Sequence, residues 1–175
     1  MHTLHEAVAR CRTLVVEGPD DIGRGSLLAE LARGGFAIRR SLEHLHHVDP
    51  TRPYREHLAA PGRLALDGGV VHELVYGPLR RGRSRVTWIQ ALDFAEAVAE
   101  REGALLHLTD SGREPDTAGT EGAEADAAYD RALRTLAQHV PVVTLDAAGA
   151  AHTPGRPPIR APDRPTPNWG EAKGC

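Results

Sequence analysis

At 175 residues, with 41% hydrophobic and 26% charged side chains, the chain has the composition of one globular domain large enough for a full core. A formal net charge of −3 argues against broad sequence-independent nucleic-acid binding, which requires a basic face. Two distant cysteines, Cys11 and Cys175, give no disulfide framework, and no apolar run reaches membrane-spanning length, so a reducing, cytoplasmic setting without a membrane span is expected.

In chain order, residues 2–11 read as a short helical lead-in. Leu14–Glu17 is an apolar, β-branched run that stops at Gly18, as a buried strand does. A glycine-punctuated loop leads to a helix predicted over Gly25–Arg33, which Gly34 and Gly35 end. Phe36–Arg39 reads as a short second strand, and the stretch 41–62, with Pro50 and Pro53, as polar and irregular. His44, His46 and His47 are spaced so that three imidazoles do not gather on one helical face, which favours a wet surface over a metal site. Arg63–Asp67 reads as a third strand ending on a carboxylate, and Gly68-Gly69 opens a helix that Gly77-Pro78 is expected to close. A basic loop over 79–85 leads to a helix over Thr87–Arg101, where Trp88, Leu92 and Phe94 read as core contacts. Ala104–Thr109 is a buried-type strand, 110–123 an acidic, mobile loop, Glu124–Gln138 a helix and Val142–Leu145 a last strand. Cys11 reads as a structural thiol.

Strands that alternate with helical segments predict an α/β, three-layer fold: about five parallel strands with helices on both faces. Ligands in such sheets bind at the carboxyl ends of the strands, which here carry Glu17–Ser26, Asp67-Gly68 and Thr109–Arg113. The domain is expected to span 1–149. Residues 150–175, rich in Pro and Arg and without periodicity, read as a tail, either passive or docking a partner through Ile159 and Trp169.

The chemistry concentrates in the loop Gly18–Ser26. Strand, glycine loop and helix N-terminus together make a phosphate cradle, because backbone N–H groups converge where the helix dipole adds partial positive charge. The spacing is nearly G-x-x-x-x-G-K-[ST]: Gly18 and Gly23 fit, Arg24 stands in place of Lys, and Gly25 in place of Ser or Thr. Arg24 is longer, planar and forked, Gly25 has no hydroxyl for Mg²⁺, and Ser26 offers one a position later. Because Lys173 is the single lysine, part of that Lys-to-Arg difference reflects composition. Asp20 and Asp21 add two carboxylates that repel a triphosphate unless a cation bridges them.

EGPD-x-x-G-R-G-S at 17–26 resembles the loop of thymidylate kinases and related deoxynucleotide kinases, usually EG-x-D-x-x-GKST. LALDGGVVHELVYGPLRRGRSR at 64–85 resembles their Asp-Arg motif and the helix after it, most closely in phage and actinobacterial thymidylate-kinase-like proteins. The resemblance covers roughly residues 13–146 and implies a P-loop nucleotide kinase. It places Gly18, Gly23, Arg24, Gly25 and Ser26 at donor phosphates, Asp20 at the acceptor sugar, and Asp67 near a metal, with Arg24 and Asp67 as the catalytic pair. The Arg of the Asp-Arg motif is Gly68 here, and Arg113 is the single arginine of the lid stretch. ATP and Mg²⁺ are the implied cofactors, while no residue is assigned as a dedicated metal ligand. Arg80, Arg81, Arg83 and Arg85 read either as a clamp for an acceptor monophosphate or as a solvated Arg-rich surface. The expected function is therefore a thymidylate-kinase-like nucleotide binder with weak or lost transfer to a (deoxy)nucleoside monophosphate. The alternative is an inactive nucleotide-binding or scaffold module that meets a protein partner, or a second copy, through its tail.

Overall fold

The computed structural model describes residues 3–20, 22–40, 49–110 and 115–147. Five parallel strands, β1 (Thr13–Glu17), β2 (Ala37–Arg40), β3 (Leu64–Asp67), β4 (Gly103–Thr109) and β5 (Val142–Asp146), form one sheet in the order β2-β3-β1-β4-β5. The most apolar strands are central: β1 is wholly buried between β3 and β4, whereas edge strand β2 is largely exposed. Such strands bury both faces, which explains their unbroken apolar runs.

Side-chain alternation sorts the two faces. Leu14, Val16, Ala65, Ala104 and Leu106 face α1 (Leu4–Arg10) and α2 (Gly25–Arg33), packing on Ala7, Leu27, Leu28 and Leu31. Val15, Leu66 and Leu105 face the other layer, made by α3 (Arg52–Leu58), α4 (Val70–Arg81), α5 (Trp88–Glu100) and α6 (Pro115–Leu136), through Tyr54, Val71, Phe94 and Tyr129. Ala125, Tyr129, Ala132, Leu133 and Leu136 recur at helical spacing and give α6 its buried stripe. The three-layer α/β expectation holds.

Local expectations fail in four places. Residues 52–58, read as irregular, form α3, with Pro53 in the first turn where its missing N–H costs no helical bond. Helix α4 does not stop at Gly77-Pro78 but runs to Arg81, capped by left-handed Gly82. The loop after it folds back onto the helix: a Cβ on Gly77 would meet Ser84 Cα at 2.8 Å, and Glu73 accepts from the Arg85 amide at 2.8 Å and from the Arg81 guanidinium. Helix α6 starts at Pro115, inside the stretch expected to be a loop, and Trp88 is 47% exposed rather than in the core. Phe94 and Cys11 are buried as expected. Asp21, His44, His46, His47, Arg113 and the tail lie outside the described residues, and among the described helices none is long and apolar enough to cross a membrane.

Candidate functional site

The carboxyl end of β1 delivers the chain into the loop Gly18–Ser26. Gly18 is needed by close approach, since a Cβ there would lie 2.9 Å from the Leu108 carbonyl oxygen at the end of β4. Gly23 has φ +53°, the left-handed conformation that glycine adopts without steric cost, and a Cβ on Gly23 or Gly25 would meet nothing within 4 Å. The loop is thus open at the start of α2, as an anion cradle must be. Ser26 follows in the first helical turn.

Arg24 does not reach into solvent. Its side chain is 15% exposed and folds over its own loop, donating to the carbonyl oxygens of Gly18 (3.1 Å) and Pro19 (3.4 Å). Its Nη1 lies 3.4 Å from Asp67 Oδ1 at the end of β3, and its Nη2 3.8 Å from Asp20 Oδ1. Arg24 and Asp67, the pair expected to be catalytic, are therefore in contact. Exposed Arg40 adds a second guanidinium 3.8 Å from Asp67 Oδ2. A carboxylate flanked by two guanidinium groups is a poor ligand for a divalent cation, and Gly25 supplies no hydroxyl, so these residues do not fit a conventional Mg²⁺ site. Among the described residues no group of three or more His, Cys, Asp or Glu side chains could hold a metal.

On the α4 side of the loop, His72, Tyr76 and Arg80 recur at i, i+4 and i+8 and so share one ridge of the helix. That ridge meets Asp20: His72 Nε2 lies 2.7 Å from Oδ1, Arg80 Nη2 donates to Oδ2 at 2.8 Å, and the Asp20 amide donates to the Tyr76 hydroxyl at 3.2 Å. Arg80 lies over the Tyr76 ring at 4.1 Å and donates from Nε to Glu121 of α6 at 2.8 Å. Partial burial pushes the Asp20 carboxyl up, but the His72 and Arg80 contacts outweigh it and hold the group below its ordinary range. Of the other arginines expected to form a clamp, Arg81 is bound to Glu73 in the last turn of α4. Arg83 and Arg85 project exposed from the loop beyond. The structure therefore brings Gly18, Asp20, Gly23, Arg24, Asp67 and Arg80 to one cleft, and Arg81, Arg83 and Arg85 lie past its rim.

Glu17 is the site residue that sequence reasoning passed over. By alternation it shares the face of β1 with Val15, and it is fully buried at the N-terminus of α4. Burial raises its pKa to about 8, against the opposing pull of Arg24 and of the amides of Val71, Gly69 and His72; neither oxygen completes a hydrogen bond of normal geometry. Gly69 is required here, because a Cβ would overlap Glu17 Oε1 and lie 3.0 Å from Val15 Cγ1. Gly68, which stands where the Asp-Arg motif it resembles has Arg, sits at φ +82°, a conformation that strains any side-chain-bearing residue. Buried Tyr129 lies in the same layer, T-shaped to Tyr76 at 6.2 Å and stacked on His107 at 6.3 Å, and among the described residues its hydroxyl has no hydrogen-bond partner. Burial and the negative charge of Glu17 both raise the Tyr129 pKa. The clue to Glu17 was a carboxylate closing a wholly apolar strand directly before a glycine loop.

On the opposite, α2 side a cavity of about 260 Å³ opens beside the loop, lined by Gly23, Ser26, Leu27, Leu108, Leu145 and Asp146 among others.

The crystal structure of YorR protein from Bacillus subtilis, in complex with phosphorylated GDP, superposes on this chain with a TM-score of 0.63 at 13% identity, over 78% of this chain and 86% of that one. The fold is P-loop kinase-like. No family model matches the sequence, and no curated protein matches it significantly. The likeness carries the architecture; the site's chemistry rests on the residues above.

Proposed function

We propose that this protein binds a nucleotide with its phosphates over Gly18–Ser26 and its base in the adjoining cavity, and that phosphoryl transfer to a (deoxy)nucleoside monophosphate of the thymidylate-kinase type is weak or lost. The single observation that carries the reading is the open glycine loop between β1 and α2, where among the described residues nothing beyond the chain neighbours lies within 4 Å of the Cβ positions of Gly23 and Gly25. YorR, which shares the fold, was solved with phosphorylated GDP, and that supports a nucleotide as the ligand class. The mostly aliphatic walls of the cavity suit a flat heterocycle.

Weak transfer follows from the same geometry. A phosphoryl-transfer site must deliver cations to the equatorial oxygens as charge spreads over them. Here Arg24 is engaged by Asp67, Asp20 and two loop carbonyls, so a nucleotide has to win the guanidinium from those partners. ATP as donor, with Mg²⁺ carried by the nucleotide rather than held by a protein site, is the proposed cofactor arrangement. Calorimetric titration with nucleoside mono-, di- and triphosphates, with and without Mg²⁺, tests the reading alongside a diphosphate-formation assay. Triphosphate binding with little Mg²⁺ dependence, lost in Arg24→Ala, is the expected result; no binding by the wild-type chain refutes it. The scaffold version predicts in addition that deleting 150–175 abolishes capture of a partner or a second copy.

A further inference from the structure

The ridge of α4 that meets Asp20 has the form of an occupied anion site. Two donors on one helix face, His72 Nε2 and Arg80 Nη2, each address one oxygen of a single carboxylate, at 2.7 and 2.8 Å. The Arg80 guanidinium is set for this: the Tyr76 ring lies beneath it at 4.1 Å, and Glu121 takes its Nε edge. A carboxylate on such a pair mimics the two-oxygen edge of a phosphate monoester, which carries more charge and a third oxygen. Asp20 comes from the glycine loop itself, is 43% exposed, and is shared with Arg24 on its other side at 3.8 Å.

We propose that His72 and Arg80 form the seat for the phosphoryl group of a nucleoside monophosphate, and that Asp20 fills this seat as the loop's own counter-anion until the ligand displaces it. The proposal rests on reading the cleft as nucleotide-binding and deepens it: cavity and loop take the donor on the α2 side, and the α4 ridge takes the acceptor phosphate. It reverses the role that family resemblance gives Asp20. A residue that contacts an acceptor sugar helps binding, whereas one that occupies the phosphate seat competes with it.

The two roles predict opposite effects of one substitution. Titrations of the full chain with thymidine 5′-monophosphate and with inorganic phosphate are compared for wild type, Asp20→Asn, Arg80→Ala, His72→Ala and the Asp20→Asn/Arg80→Ala double variant, with thymidine as the unphosphorylated control. Asp20→Asn is expected to bind both phosphates roughly tenfold more tightly, with thymidine unchanged. Arg80→Ala and His72→Ala are expected to weaken phosphate binding, and the double variant to lose the gain. Glu121→Gln, which releases the other edge of Arg80 without touching the loop, is expected to give a smaller gain. Unchanged or weaker binding by Asp20→Asn overturns the proposal, as does a gain that survives in the double variant, since that gain would belong to Arg24. Failure here beside triphosphate binding that still depends on Arg24 leaves the nucleotide reading standing. Loss of all triphosphate binding refutes that reading separately.

Discussion

Replacing Glu17 by Gln should remove most of the alkaline loss of stability in this protein. The group's ordinary pKa is 4.5, and in the fold burial raises it to about 8. Below pH 4.5 both the folded and the unfolded chain hold the proton, so Glu17 costs nothing. Between 4.5 and 8 the unfolded chain releases the proton while the folded chain keeps it. Unfolding is then favoured by about 1.4 kcal/mol per pH unit, and on the order of 5 kcal/mol is lost by the time the pH exceeds 8. His107 works in the opposite sense: burial lowers its pKa against the pull of Asp130 and Asp126, so its contribution to stability is lost as pH falls below the ordinary histidine value. The difference between wild type and Glu17→Gln cancels His107 and isolates the carboxyl. Urea unfolding of both proteins at pH 5, 7 and 9 gives that difference directly. A gap that shifts in favour of the Gln variant by several kcal/mol from pH 5 to 9 is expected; parallel profiles would refute the buried, raised carboxyl.

Three further outcomes follow from the same contacts. Gly69→Ala places a methyl group on Glu17 Oε1 and Val15 Cγ1 and should cost about 1–3 kcal/mol in urea unfolding, relieved in part when Glu17 is shortened to Asp. Gly23→Ala meets open space but inherits φ +53°, so a penalty of about 1–2 kcal/mol is expected, with phosphate affinity reduced more than stability in paired titration and unfolding measurements. Ala147→Trp narrows the cavity beside the loop and should weaken nucleoside triphosphate binding at least about tenfold while leaving inorganic triphosphate unaffected by calorimetry, which separates the base seat from the phosphate cradle.

The layered fold was legible because its strands are short apolar runs punctuated by glycine, and because helical segments between them force parallel crossovers. The loop is legible from the spacing of Gly18 and Gly23: a Cβ on Gly18 would crowd the Leu108 carbonyl oxygen, and Gly23 holds a left-handed φ of +53°. The acceptor side was not, and the reason is local. Gly77-Pro78 reads as a helix stop, but α4 runs through it, held by the 82–86 segment folded onto Gly77 and Glu73. Ending the helix at Tyr76 hid the i, i+4, i+8 series of His72, Tyr76 and Arg80 and made Arg80 one of four equivalent loop arginines. Arg24 stands out in the sequence as the loop's odd cation, but its partners do not: Asp67 lies 43 residues away and meets it through the pairing of β1 with β3. Glu17 lies inside the strand expected over Leu14–Glu17, and alternation along that strand puts it on the Val15 face, in the core.

The central claim is that the Gly18–Ser26 loop holds nucleotide phosphates. Backbone amide shifts of the ¹⁵N-labelled chain during titration with ATP, with and without Mg²⁺, test it most directly. The largest shifts are expected at Gly18, Gly23, Arg24, Gly25 and Ser26, with smaller ones at Leu108 and Asp146. Saturable shifts confined to other surfaces, with these amides unmoved, would contradict it.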